Sequence, residues 1–222
     1  MLPPRPLEKV GGLTMNQRRS FLKLVSLASA GALLPSRGIT ADIGTLAPYV
    51  RPGTRKVVLE VGTTGLGSAR GHRIIEIAAV EIVGREITGH CFHTYCDPER
   101  DLSRNAVGIT GLTREFLTGK PKFREVINAL MQFIGDAPLV IHNAPFDQGF
   151  LDAELERLGR EPVFRNWPSV IDTHQIARAQ GLKWCRLSYL CTHYGIPIDE
   201  KSVNTGLDLV EVVARVYLAL TV

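Results

Sequence analysis

Long hydrophobic runs are missing from this 222-residue chain. Its longest stretch of apolar and small residues, positions 24–34, is eleven residues long. A helix needs roughly 20 to cross a bilayer, so no transmembrane span is expected. Paired cysteines are missing too. Cys91, Cys96, Cys185 and Cys191 lack C-x-x-C spacing, which excludes the common zinc modules and leaves buried free thiols as the expectation. No internal repeat or low-complexity tract is present, which excludes repeat architectures. A charge excess is missing from most of the chain. The formal net charge is +4, yet residues 1–42 hold six basic side chains and two acidic ones, leaving 20 of each in the remainder. That balance removes the overall electrostatic argument for a polyanionic partner and leaves room only for local patches.

What is present begins with a leader. Arg18-Arg19-Ser20-Phe21-Leu22-Lys23 precedes the eleven-residue apolar stretch, a pattern that resembles a twin-arginine export signal. Gln17 stands where Ser or Thr is usual. Residues 1–41 are therefore expected to be a leader that exports the protein, leaving it periplasmic or membrane-tethered. The alternative is a chance Arg-Arg before an amphipathic helix and a cytoplasmic protein. Either Met1 or Met15 serves as a start. Residues 42–55 carry Gly, Pro, Thr and Arg without periodicity and are expected to be a linker. Residues 56–222 are expected to form one domain, for which 45% apolar content supplies a core.

Within that domain, residues 57–59, 74–82 and 86–95 are expected to be strands, the last two joined by a hairpin turn at Val83-Gly84-Arg85. Residues 106–117 suggest two helical pieces broken at Gly108 and Gly111. Phe123, Val126, Ile127, Leu130 and Ile134 mark an amphipathic helix. A strand at 139–141, a helix at 146–158, a strand near Val170 and three further helices follow. A three-strand meander followed by alternating strands and helices predicts an α/β mixed sheet with helices packed on it.

The pivot of this pattern is Val140-Ile141-His142-Asn143-Ala144-Pro145-Phe146-Asp147. A buried strand ends, Asn143 and Pro145 break it, and Asp147 falls in the first turn of the next helix. Open α/β sheets put their ligand crevice at that junction. An isolated Asp there also does no more than complement the helix dipole.

Four motifs in order decide between these. Val58-Leu59-Glu60-Val61-Gly62-Thr63-Thr64-Gly65, Ile74-Ile75-Glu76-Ile77, Ile109-Thr110-Gly111-Leu112 and the pivot segment together resemble the DEDDh 3′–5′ exonucleases of ribonuclease-H-like fold. Within them the chain most resembles the proofreading (epsilon) subunits of bacterial DNA polymerase III. The resemblance covers residues 55–221 and implies a three-strand antiparallel meander plus parallel strands.

Enzymes of this kind use two divalent metals, Mg²⁺ or Mn²⁺, about 4 Å apart, to activate water and stabilise the leaving oxygen. The resemblance implies four carboxylates and one His. Here they fall on Glu60, Gly62, Asp147, Leu209 and, for the general-base His, Asn204. Four of the five positions differ from the family pattern. Glu60 and Asp147 are the remaining acids. Asp208 is a tentative further ligand beside Leu209, turned about 100° away on a helix. Asn204 cannot take a proton near neutral pH. Metal binding is thus expected to be weak or absent, and the chain to be an impaired or inactive family member. The alternative is an active exonuclease with a rebuilt metal site. Nucleic-acid 3′ ends, of single-stranded DNA or RNA, are the implied partner. Thr63, Thr64 and Gly65 would meet the terminal nucleotide, with Ile109, Asn143 and Phe146 lining the crevice. A plain turn and ordinary core packing are the competing accounts of these residues. The sequence ends directly after the last helix of the pattern, so no polymerase tether is expected.

Overall fold

Five strands form one sheet in the order β3-β2-β1-β4-β5 in this computed structural model, which describes residues 55–198 and 206–222. The expected leader, the linker up to position 54, and Asn204 lie outside the described residues. Strands β1 (Arg55–Thr63), β2 (Ile74–Val83) and β3 (Glu86–Tyr95) make the antiparallel meander. Strands β4 (Leu139–Ile141) and β5 (Val170–Asp172) add on parallel, Val58 pairing with Val140 and Val140 with Ile171. The α/β mixed sheet expected from the pattern is present. β1 is longer than the apolar triplet at 57–59 indicated, because neighbours on both sides supply its backbone with partners, and Arg55 belongs to it rather than to a linker.

Alternation along β1 sends its side chains to two different layers. Val57, Leu59 and Val61 enter a core with helices α3 (Phe123–Ile134) and α4 (Ala144–Arg157). Val58 faces the other way, joining Ala78, Val80 and the last helix, α7 (Gly206–Leu220). A sheet covered on both faces explains why β2 reads as an almost unbroken apolar run. Short helices α5 (Thr173–Ala179) and α6 (Leu187–His193) pack against the outer side of α7.

The remaining helices are α1 (Arg104–Thr110) and α2 (Arg114–Leu117). Gly108 lies inside α1 and does not break it. The break falls at Gly111, whose φ of 68° ends the helix in the left-handed region. Helix α4 starts two residues earlier than its apolar spacing suggests, because Pro145 is tolerated in the first turn, where its missing N–H has no partner to lose. All four cysteines are free, Cys96 and Cys191 buried. No helix among the described residues is long and apolar enough to cross a membrane.

Arginine–carboxylate clamps tie the layers together. Arg55 binds Glu81 at 2.6 Å and caps the end of α3 through the carbonyls of Phe133 and Ile134. Arg73 grips Glu154 of α4 with two bonds of 2.7 and 2.8 Å, and the Ile74 N–H donates to the same carboxylate. Glu154 is only 1% exposed, so removing its partner or the carboxylate leaves an uncompensated buried group. We expect Glu154→Ala to destabilise the protein by about 3 kcal/mol, read as a lowered urea midpoint at unchanged slope.

Candidate functional site

The parallel pairing of β1 and β4 brings two carboxyl ends side by side. At the end of β1, Glu60 is partly buried, and its Oε1 accepts the His142 N–H just past β4 at 3.0 Å. In the first turn of α4, Asp147 is 2% exposed, and its Oδ1 accepts the Val61 N–H of β1 at 2.8 Å. Each acid therefore bonds the backbone of the other's neighbourhood, which fixes both in the crevice. A third acid, Asp172, lies close by but is already engaged. Its two oxygens accept the N–H groups of Asn143, Ala144 and His174, capping α4 and α5 together.

Burial sets the electrostatics. Desolvation, then the neighbouring Asp147, raises the Glu60 carboxyl well above the usual range, against the His142 N–H bond that lowers it. Desolvation also pushes Asp147 up to about 8, with the Val61 N–H opposing and Asp172 adding to the rise. His142 goes the other way, down to about 4, because burial and then His174 disfavour its charged form. Its Nδ1 lies 2.8 Å from the Thr173 hydroxyl, and its ring meets His174 edge-on at 5.9 Å.

Two residues beyond Glu60, on the same side of β1, the resemblance calls for a second acid and Gly62 supplies no side chain. Gly62 pairs with Glu76 across β1 and β2. A Cβ at position 62 would stand 3.2 Å from the Glu76 Cβ and 3.6 Å from its Oε2. Glu76 is 1% exposed; its Oε1 meets His93 Nε2 at 2.6 Å, while its Oε2 has no hydrogen-bond partner among the described residues. Burial, then this carboxylate, pushes the Tyr95 phenol up to about 12. Gly206 closes the cluster from the start of α7. Its φ is 68°, and any Cβ there would fall 2.6 Å from Glu76 Oε1, so only glycine lets the helix approach so closely.

The other expected site residues lie on several elements. Thr64 is fully buried, its hydroxyl 3.0 Å from His72 Nδ1 and accepting the Arg73 N–H at 3.0 Å. The Thr63 hydroxyl donates to the Gly65 carbonyl, and the His72 ring fills the space beside Gly65. Both hydroxyls thus hold the turn in shape. Ile109 on α1 is 59% exposed. Asn143, with φ of 67°, occupies the left-handed region at the start of α4 and makes no capping bond with its side chain. For a residue other than glycine that strain, of order 1–3 kcal/mol, is characteristic of functional sites. Phe146 is half-buried against Phe150 at 4.9 Å. Asp208 and Leu209 are both half-buried in the first turn of α7.

A divalent-metal centre of two ions needs a cage of oxygen donors. Glu60 and Asp147 each have one oxygen turned to a backbone N–H, and Gly62 and Leu209 supply no donor. Among the described residues no group of three or more Asp, Glu, His or Cys side chains is arranged to hold a metal ion. The donor set does not fit the paired-metal site that the resemblance implies.

The described domain also has clear relatives. The exonuclease family profile RNase_T matches residues 57–208. DNA polymerase III subunit epsilon of Rickettsia typhi is 41% identical over 170 residues, covering 75% of this chain and 74% of that protein. The subunit of the same name from Escherichia coli K12 is 41% identical over 174 residues, covering 76% and 72%. Among solved structures, product-bound exonuclease I superposes with a TM-score of 0.62 at 19% identity, covering 75% of this chain and 43% of that one. The nuclease domain of 3′hExo, a DEDDh family member bound to rAMP, gives 0.63 at 17% identity, covering 74% and 90%. At such identities the two superpositions establish the fold, a ribonuclease-H-like exonuclease fold.

The raised carboxyls carry a pH dependence with a definite sign. The folded chain holds protons on Glu60 and Asp147 that the unfolded chain releases near pH 4, so their stabilising effect is full below about pH 4 and is lost as pH rises towards 8. We expect the melting temperature to fall by roughly 5 °C between about pH 5 and pH 8. Asp147→Asn, which keeps an acceptor for Val61 and removes the charge, should flatten most of that slope in calorimetry.

Proposed function

Because the chain belongs to the RNase_T exonuclease family, in its DEDDh branch, we propose that it is a silenced member that binds nucleic-acid 3′ ends without cutting them efficiently. The donor count carries this reading: two carboxylates, Glu60 and Asp147, where paired metals need a full cage. Loss of the general base at Asn204 would alone lower the rate by about 10²–10⁴, and loss of the ligands at Gly62 and Leu209 compounds it. Mg²⁺ or Mn²⁺ is then held weakly or not at all. Binding is supported by what remains around the crevice, namely exposed Ile109, the strained Asn143 and half-buried Phe146. Single-stranded DNA or RNA is the substrate class this surface would meet.

A rival reading, an active 3′–5′ exonuclease with a rebuilt metal site, is favoured by one observation. The Oε2 of Glu76, without a hydrogen-bond partner among the described residues, lies beside Gly62. One assay separates the two. We expect the purified chain to leave 3′-labelled oligonucleotides intact in Mg²⁺ or Mn²⁺, and the fourfold variant E60D/G62E/N204H/L209D to shorten them. Brisk digestion by the unaltered chain, stopped by EDTA and lost in Glu76→Gln, would establish the rival instead.

We further propose that residues 1–41 export the protein through a twin-arginine-type route. A reporter fused after residue 41 should leave the cytoplasm, and R18K/R19K should retain it. Retention of the unaltered fusion in the cytoplasm, or export undiminished in R18K/R19K, would overturn this proposal.

A further inference from the structure

The near-zero charge of the domain conceals a segregation. Residues 173–198 contain Arg178, Lys183 and Arg186 and no Asp or Glu, whereas the rest of the described residues carry 15 basic and 18 acidic side chains. This acid-free stretch is the α5–α6 hairpin. Its inner side is fixed by Ala177, Leu190 and Cys191 packing on Val212, Val216 and Leu220 of α7. Its outer side therefore presents the charge. At the tip, Trp184 is 49% exposed, with Lys183 Nζ and Arg186 Cζ each 5.7 Å from a ring centroid. Among the described residues no carboxylate pairs with Arg178, Lys183 or Arg186.

We propose that this hairpin is a second nucleic-acid surface, separate from the crevice, on which Trp184 stacks a base of a single strand while Lys183 and Arg186 neutralise the adjoining phosphates. An exposed aromatic flanked by cations is the combination that single strands use irrespective of sequence, since every base has a π-face and every nucleotide a phosphate. The platform is held in place before any ligand arrives. The Leu182 N–H donates to the Ala177 carbonyl at 3.1 Å, Gly181 N–H to Arg178, and the Gln180 side chain to the Leu220 carbonyl at 2.8 Å. The location follows from α5 itself: Asp172, beside the crevice, caps its start, and its seven residues carry the chain about 10 Å away before the tip, where Gln180 is tied to the far end of α7. The inference shares with the proposed function only the class of partner. It needs neither a 3′ end nor a working crevice.

A circular single-stranded DNA, which has no 3′ end, tests it on the full chain, so that the basic leader is common to every variant. We expect the circle to bind and K183E/R186E to weaken it at least tenfold. The slope of log affinity against log salt, between about 50 and 200 mM, should shrink by about 1.4 for two lost phosphate contacts. Trp184→Ala should cost about tenfold and Trp184→Phe little, since a ring is retained. R124E/R160E, an equal change of charge elsewhere on the surface, should stay within about twofold. The altered side chains are exposed, and unchanged melting temperatures would confirm that folding is intact. Equal losses in R124E/R160E, or no loss in K183E/R186E and Trp184→Ala, would overturn the proposal. So would binding to phosphatidylglycerol vesicles without affinity for the circle. Loss of end-dependent binding alone, in I109A/F146A with the circle still bound, would count against the crevice reading and leave this one standing.

Discussion

The bond from the Val61 N–H to the Asp147 carboxylate joins the end of β1 to the first turn of α4, and the rest of the crevice is arranged around it. It is a contact deep in the fold, between the strand at the centre of the sheet and the helix that covers one face, and it is made to a carboxyl that burial keeps protonated near neutral pH. The reciprocal bond from the His142 N–H to Glu60 closes the junction from the other side. Two backbone donors thereby hold two acids near each other at the carboxyl ends of parallel strands, where the sheet geometry already opens a cleft. Asp172 lies behind them. By capping α4 and α5 at once it fixes the directions in which both helices leave the sheet.

Much of this can be read directly from residues. Strand β3 matches its expected limits, 86–95, because the Gly84 turn and Tyr95 bracket a clean stretch. Helix α3 follows from five apolar residues at helical spacing, all five of them buried. Asp147 is legible as the pivot because a strand, a break and a helix meet within eight residues. Elsewhere local signals mislead. Gly108 suggests a break that the αR backbone of α1 absorbs, since a lone glycine weakens a helix by only about 1 kcal/mol. Helix α4 conceals its packing, because Gln148, Asp152 and Glu154 are buried alongside Phe150 and Leu151. Only tertiary partners explain those polar residues, such as Arg73 for Glu154 and the Phe164 and Arg165 N–H groups for Asp152.

The Glu76–His93 pair has a sequence signal, an acid near the start of the apolar run of β2, but its meaning depends on register. Only the pairing of Gly62 with Glu76 shows that the acid stands opposite the gap. Thr64 has the reverse history. Its position suggests contact with a ligand, and the structure commits its hydroxyl to His72 and Arg73 inside the turn. The charge segregation on the α5–α6 hairpin is likewise lost when charges are summed over the whole domain, because a +3 stretch and a −3 remainder cancel.

The number of acids a buried cleft can hold is limited by the counter-charge available there. Glu60 and Asp147 can be accommodated by backbone N–H donors together with protons, as the upward displacement of both carboxyls requires. Glu76 is bonded to His93 at 2.6 Å. Gly62 and Leu209 add no carboxyl to this set. A glutamate at position 62 would stand against the Oε2 of Glu76, and without a cation between them two ionised carboxylates would repel. A centre with four ionised carboxylates therefore needs counter-charge in order to exist as well as to react, whereas Glu60 and Asp147 are here held by backbone N–H donors and by protons.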